Sequence, residues 1–190
     1  MGEAARRREI LRATMLALGT KWDFPPSEWE AALCAELKEN EVMRVPRASA
    51  AQLSWARMQA NQCHANTRWY EQNDPENKSR QVTGWWVQWP DFVLHSVVER
   101  DGHLMCITPS HFDEAQIPFI PDPKIVWTES GDVYSAMRDG KIIGPGIRAF
   151  PAYTMAKNQI IRDRLLRGVN PYKAGDFTDA EIEKLKNEYT

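Results

Sequence analysis

The dipeptide Asp101-Gly102 separates two stretches rich in β-branched and apolar residues, "DFVLHSVVER" and "HLMCITP". Asp-Gly between such stretches is a strong signal for a hairpin with a two-residue loop. With these two residues as the loop, Arg100 pairs with His103, and the residue numbers of each pair add up to 203. Directly paired residues point to the same face of a sheet. The register therefore predicts one face that carries His95, Val97, Cys106 and Thr108.

This shared face makes His95 and Cys106 diagonal neighbours on adjacent strands. The prediction depends on the register, because side chains alternate between faces and a slip of one residue would invert the arrangement. It brings an imidazole and a thiol together in the middle of the chain.

Helical patterns lie on both sides of the predicted hairpin. Apolar residues recur at helical spacing over residues 2–18, and Ser27 with Glu30 forms a capping box for a helix that ends near Asn40. Residues 152–167 form a second amphipathic pattern towards the C-terminus. This order predicts an α+β fold with a helical N-terminal region, a central antiparallel β-sheet and C-terminal helices.

Breaks in the helical and strand patterns along the chain suggest a division into three parts. We expect residues 1–45 to form a helical N-terminal arm and residues 46–170 to form the α+β core that carries the candidate site. Residues 171–190, which include the capping box Thr178 to Glu181, are expected to form a peripheral C-terminal helix.

The charge and the apolar pattern exclude several classes of partner. A net charge of -2 gives no basic footprint for nucleic acid, and no apolar run is long enough to span a membrane. Three cysteines in 190 residues do not make a disulfide framework, so we expect a cytoplasmic protein with reduced thiols. Its helical N-terminal arm is a candidate surface for a homo-oligomer.

Thiol and imidazole side chains cluster in one part of the chain. Of three cysteines and four histidines, six fall between positions 63 and 111. Cys63 lies in "NQCHANTRWY", where two interpretations of the local structure are open. Asn61 either caps a new helix, or one helix runs unbroken from Ser49 to Asn73.

A helix that starts near Cys63 would favour a thiol nucleophile. Backbone N–H groups at a helix N-terminus stabilise a thiolate and are expected to lower the thiol pKa. His95 would act as general base, and the Gln62 side chain with the Cys63 backbone N–H would form an oxyanion hole.

The order of a helix-borne cysteine (Cys63) and a histidine on a hairpin strand (His95) resembles papain-like cysteine hydrolases and amidases, including N-terminal glutamine amidases. The resemblance covers residues 61–110 and implies that Cys63 is the nucleophile and His95 the base of a hydrolase or acyl transferase acting on an amide. Such a reaction needs no cofactor. The sequence departs from the family at the third position, where Cys106 and Thr108 stand in place of asparagine or aspartate.

A metal site is the first alternative. Thiolate and imidazole ligands suit tetrahedral zinc, and a non-haem iron site is also conceivable. The candidate ligands are Cys63, His95, Cys106 and His111.

Tryptophans form the second candidate binding feature. The segment "GWWVQWP" places Trp85 and Trp89 on one side of a strand and Trp86 on the other. Together with Thr108, these indoles are expected to wall a pocket for a small-molecule or peptide substrate. The remaining alternative is a non-catalytic module with a tryptophan-rich binding surface.

Overall fold

The computed structural model describes residues 2–110, 114–130 and 133–190. Helices precede and follow a central group of strands. Their bounds are α1 Glu3–Lys21, α2 Glu28–Glu39, α3 Ala50–Trp55, α4 Cys63–Gln72, α5 Pro151–Leu166 and α6 Asp179–Tyr189. Among the described residues, no helix combines the length and apolar character needed to cross a bilayer.

The strands form two antiparallel sheets in the described ranges. Their bounds are β1 Met43–Pro46, β2 Ser79–Gln88, β3 Asp91–Arg100, β4 His103–Met105, β5 Gln116–Pro121, β6 Val126–Ser130, β7 Val133–Arg138, β8 Lys141–Ile142 and β9 Gly146–Arg148. The larger sheet has the order β1-β5-β2-β3-β4, with β9 also paired to β3, and the smaller sheet has the order β6-β7-β8. With 40% helix and 28% strand, the fold is α+β, as predicted.

The predicted hairpin register is confirmed where β3 and β4 pair. Arg100 lies opposite His103 and Val98 opposite Met105. Asp101 and Gly102 both have positive φ, as a type I′ loop requires. The predicted pairing does not continue beyond Met105, and the reason lies in β1.

Cys106 leaves the β3 ladder because its backbone bonds to the end of β1 instead. Its N–H donates to the carbonyl of Pro46 at 2.8 Å, and its carbonyl accepts the N–H of Ala48 at 2.9 Å. β1 and β3, which are far apart in sequence, are thus alternative hydrogen-bond partners for the backbone of Cys106. The thiol nevertheless stays beside His95, as the register predicts.

Both faces of the larger sheet are buried. One face holds a cluster of Val45, Val97, Cys106, Ile117 and Phe119. The other face holds a cluster of Ala48, Leu53, Val98 and Ile107. Because Val97 and Val98 point in opposite directions, β3 contributes to both layers.

On the edge of β3 that faces β4 and β9, the hydrogen-bond ladder between strands is interrupted at one residue, Ser96. On this edge β4 reaches as far as Val98, and Leu94 donates its N–H to the carbonyl of Pro145 next to β9. Backbone N–H groups two residues apart point to the same edge, so the N–H of Ser96 points into the gap between these neighbours. The gap lies next to His95.

The chain divides into two compact units. One comprises Met1–Ala32 with Arg148–Thr190, and the other comprises Leu33–Ile147. The three-part division drawn from the sequence remains a prediction. All the predicted site residues that the structure describes belong to the second unit.

In the first unit, α1 packs on α5 and α5 packs on α6. A fully buried guanidinium, that of Arg148, is held there by the carboxylate of Glu30. Its Nε donates to Glu30 Oε1 at 2.8 Å and its NH2 donates to Oε2 at 2.9 Å. NH1 donates to the carbonyl of Trp22, and the ring of Phe24 lies 3.6 Å from the guanidinium carbon. Every nitrogen of this buried cation therefore has an acceptor.

Candidate functional site

Cys63 is the first residue of α4. The chain between α3 and α4 contains two residues with positive φ, Arg57 and Asn61, and this break prevents one continuous helix over 49–73. Of the two interpretations left open by the sequence, the one with a new helix is therefore confirmed. The N-cap is Gln62 rather than Asn61, and its side chain makes no capping hydrogen bond.

The Cys63 thiol is half-buried beside the gap in β3. Burial raises its pKa to about 11, while hydrogen bonds from the backbone N–H groups of Ser96, His64 and Cys63 itself oppose that rise. The expectation that the helix N-terminus lowers this pKa is wrong, because the cost of desolvating a thiolate exceeds the gain from these N–H groups. At neutral pH the group is a thiol.

His95 lies on β3 and is only 4% exposed. Its Nε2 lies 3.4 Å from Cys106 Sγ, so the predicted diagonal contact is present. The ring packs against Trp86, with centroids 5.4 Å apart, and against Phe119 at 6.4 Å. Burial, with smaller contributions from the nearby His64 and Arg47, lowers the pKa of His95 to about 3. The imidazole is neutral at physiological pH.

The surroundings of Cys106 indicate which nitrogen of His95 carries the hydrogen. The thiol is fully buried, and its S–H is directed at the carbonyl of Thr108, 4.0 Å away. Burial raises the pKa of Cys106, so it keeps this hydrogen. In the tautomer with its hydrogen on Nε2, His95 donates a hydrogen bond to the sulfur, and the lone pair of the neutral ring lies on Nδ1.

The other two residues predicted to assist the site differ in burial. Thr108 is 5% exposed, and its hydroxyl accepts a hydrogen bond from the Asn66 side chain of α4 at 3.4 Å. Gln62 is exposed at the start of α4. Its assignment as an oxyanion donor stays a prediction.

The three tryptophans assigned to a pocket wall lie in different environments. Trp86 packs against His95. Trp85 points to the opposite face, is fully buried and donates its indole N–H to Asp122 at 2.9 Å. Trp89 is 60% exposed in the turn after β2. Alternation along β2 therefore leaves Trp86 beside the imidazole and directs Trp85 into the core.

His64 is part of a polar network that sequence reasoning did not identify. His64 Nδ1 lies 2.8 Å from Ser96 Oγ, and the Thr83 hydroxyl lies 3.0 Å from the same oxygen. Trp127 donates its indole N–H to Thr83, and its ring packs 4.8 Å from the His64 ring. Burial, with a smaller effect of Arg68, lowers the pKa of His64 to about 4. The hydroxyls of Thr83 and Ser96 gave no sequence signal, because alternate strand residues of this kind are common.

Arg47 is the second residue that the sequence did not single out. Its guanidinium carbon lies 5.5 Å from the ring centroid of Trp86, and its NH1 donates to the carbonyl of Thr108 at 2.6 Å. A lone arginine between β1 and α3 carries no motif. Its position depends on the pairing of β1 with β5, which is a non-local contact.

Of the candidate metal ligands, Cys63, His95 and Cys106 are described, whereas His111 lies outside the described residues. Within the described ranges, no group of three or more cysteine, histidine, aspartate or glutamate side chains is arranged to hold a metal ion. The contact between His95 and Cys106 is a hydrogen bond between neutral groups. The zinc or iron alternative receives no support from this geometry.

The two buried histidines predict how stability depends on pH. Both have folded-state pKa values below the ordinary value near 6.5, so the unfolded chain takes up protons first as the pH falls. The contribution of these two histidines to the free energy of unfolding is fully present well above pH 6.5. It is lost as the pH falls through 6.5 towards the folded-state pKa values. Between pH 6 and 5 the loss approaches about 1.4 kcal/mol per pH unit for each histidine.

Urea unfolding at pH 7.5, 6.5, 5.5 and 5.0 measures this slope. His64→Gln and His95→Gln should each reduce the slope of the free energy of unfolding against pH by the contribution of one histidine. A free energy of unfolding that stays constant from pH 7.5 to 5.0 would contradict the neutral, buried state of these two rings.

No family model matches this chain, and comparison with curated proteins and with solved structures found no similar protein. The geometry alone therefore defines the class of site. Its elements are a cysteine at the start of a helix, a neutral histidine on the adjoining strand and a second thiol bonded to that histidine.

Proposed function

We propose that the protein is a cysteine-dependent hydrolase or acyl transferase that acts on an amide-type substrate, with Cys63 as nucleophile and His95 as base. The observation that carries the proposal is the 3.4 Å contact between His95 Nε2 and Cys106 Sγ. In the proposed tautomer, Nε2–H donates to the Cys106 sulfur and Nδ1 carries the lone pair that takes the proton. The contact with Cys106 supports this tautomer, which is the one that the proposed general base requires.

The reaction starts from a neutral pair, because burial keeps the thiol protonated and the imidazole uncharged. The Cys63 sulfur attacks the carbonyl carbon and forms a C–S bond while its proton passes to His95 Nδ1. The C–N bond then breaks, and the departing amine takes that proton from His95. The product on the enzyme is a thioester.

The second half of the reaction reverses the proton transfers. Water, or the amine or hydroxyl of an acceptor, attacks the thioester and gives its proton to His95. The C–S bond breaks, and the proton returns to the Cys63 sulfur. Water as the nucleophile gives hydrolysis, and another acceptor gives acyl transfer.

Charge on the substrate oxygen would be stabilised at the start of α4. The backbone N–H of Cys63 lies in the first turn, so no backbone carbonyl of the helix accepts it, and in the proposed reaction the substrate oxygen would replace the Cys63 sulfur as its acceptor. The exposed Gln62 side chain is the proposed second donor. Hydrogen bonds from preformed donors matter most at this step, because the negative charge develops there.

The proposed chemistry also bears on the compartment. Cys34, Cys63 and Cys106 are all free thiols. A nucleophilic thiol needs to remain reduced, so we propose a cytoplasmic location.

Acetylation by p-nitrophenyl acetate tests the proposal. We expect release of p-nitrophenolate together with one acetyl group on Cys63, found by peptide mass spectrometry and removed by neutral hydroxylamine as a thioester. Cys63→Ala should abolish the modification. His95→Gln should slow it by about a hundredfold or more, the usual share of a general base.

The other thiols are controls within the same chain. Cys34 is 4% exposed and Cys106 is fully buried, so neither should be acetylated in the folded protein. If Cys63 is acetylated at the same rate in His95→Gln as in the wild type, His95 is not the general base. Acetyl groups found only on lysines would remove the nucleophile as well.

A further inference from the structure

A cavity of about 460 Å³ lies in the second unit, between the end of β1, helix α3 and the segment around Pro109. Its walls combine apolar residues, among them Ala48, Leu53 and Met58, with the serines at positions 49, 54 and 110. Pockets of this size hold small organic molecules. Arg47 and the half-exposed Glu114 are the charged residues among those described that line it.

The guanidinium of Arg47 is buried but not fully paired. Its side chain is 8% exposed. Nε donates to the carbonyl of Glu114 at 3.1 Å, and NH1 donates to the carbonyl of Thr108. NH2 is buried with no hydrogen-bond partner. The nearest carboxylate oxygen in its ion pair, Glu114 Oε2, is 3.7 Å away and beyond hydrogen-bond length.

A buried charged donor without an acceptor is costly, and few groups in folded proteins are left in this state. The other nitrogens of Arg47 are fixed by backbone carbonyls, so the guanidinium cannot turn to find an acceptor without losing them. A ligand that brings an oxygen anion to NH2 would satisfy it.

We propose that this cavity binds a small aliphatic carboxylate, with the carboxylate on Arg47 NH2 and the hydrocarbon chain against Leu53 and Met58. Among the described lining residues, Arg47 carries the one positive charge, which matches one negative charge on the ligand. The adjacent carboxylate of Glu114 disfavours a dianion such as phosphate. Leu53 and Met58 offer a hydrocarbon chain apolar contacts that a sugar would not use.

Arg47 also connects the cavity to the thiol site. Its guanidinium stacks near Trp86, which packs on His95, and the Thr108 carbonyl that it holds also accepts the S–H of Cys106. This extension rests on the proposed function: the substrate would be an amide that carries a carboxylate on a short aliphatic chain. Binding of the carboxylate itself does not depend on any reaction.

Calorimetric titration with hexanoate and with its neutral isostere hexanamide tests the inference on the wild-type protein. We expect hexanoate to bind at least about tenfold more tightly than hexanamide, because a hydrogen bond to a charged group is stronger than one to a neutral group. Arg47→Met should abolish this preference. Glu114→Gln should strengthen hexanoate binding, since it removes a competing carboxylate and keeps the shape of the side chain.

Arg47 also braces backbone carbonyls, so a variant that leaves it in place is needed. Ala50 lines the cavity and is exposed at the start of α3. Ala50→Glu should weaken hexanoate about fivefold relative to Ala50→Gln and leave hexanamide unchanged, because only the charge differs.

Three outcomes would overturn the inference: equal binding of the two probes, no binding of hexanoate, or weaker hexanoate binding in Glu114→Gln. Its failure is separable from failure of the thiol chemistry. Acetylation of Cys63 by the uncharged p-nitrophenyl acetate does not require the carboxylate site. Normal acetylation without hexanoate binding would therefore remove this inference alone.

Discussion

Replacing Gly84 with alanine is expected to destabilise the protein by at least about 3 kcal/mol, near or beyond the upper end for overpacked cores. Gly84 lies in the middle of β2, where β5 passes very close. A Cβ there would overlap the backbone carbonyl of Ile120 and lie 2.9 Å from both the ring of Phe119 and the backbone of Pro121. The clashes with backbone atoms cannot be relieved by a change of rotamer, so β5 would have to move away from β2.

Urea unfolding of the variant measures the loss. Gly84 lies opposite His95 on β3, so acetylation of Cys63 should fall with stability. Gly19→Ala is the matched control, because position 19 in the last turn of α1 has open space for a Cβ, and the substitution should raise stability by no more than about 0.5 kcal/mol. A Gly84→Ala protein as stable as the wild type would mean that β2 and β5 are further apart than described.

The second large effect is expected for Glu30→Ala. This substitution leaves the fully buried guanidinium of Arg148 without its carboxylate, and losing one partner of a buried ion pair costs about 3 to 5 kcal/mol. The backbone N–H of Arg148 also donates to Glu30 at 3.0 Å and would lose its acceptor. We expect a large drop in the urea midpoint, or failure to accumulate folded protein.

Glu28→Ala is the control for this prediction, because Glu28 is exposed in the first turn of the same helix. It should change stability by no more than about 0.5 kcal/mol, as surface substitutions usually do. Similar losses for the two variants would contradict the special role of Glu30. Glu30→Gln should fall between them, because it keeps the shape and one acceptor oxygen but not the charge.

Local signals predicted the parts of the fold that depend on neighbouring residues. The Asp101-Gly102 loop sets the register of β3 and β4, so the approach of His95 to Cys106 could be predicted without any knowledge of the rest of the chain. The start of α4 could be narrowed to two alternatives. Deciding between them required the positive φ of Asn61, which the sequence does not determine.

Long-range contacts account for what the sequence did not reveal. Glu30 and Arg148 are 118 residues apart; the capping box gave Glu30 only a local role, and nothing in the sequence linked it to Arg148. The expected fall in the Cys63 pKa was wrong for a related reason. The field of a helix N-terminus follows from local sequence, whereas the burial that outweighs it depends on packing against β3.

Hydrogen bonds link the smaller sheet to the helix that carries Cys63. The indole N–H of Trp127 on β6 donates to the Thr83 hydroxyl, the Thr83 hydroxyl contacts the Ser96 hydroxyl, and the Ser96 hydroxyl contacts His64 Nδ1. An indole N–H can only donate, so the Thr83 oxygen is its acceptor whichever way the other two hydrogen bonds run. A substitution that removes this indole would therefore take away the one contact of fixed direction in this chain of hydrogen bonds and alter the surroundings of the imidazole that follows Cys63 on α4.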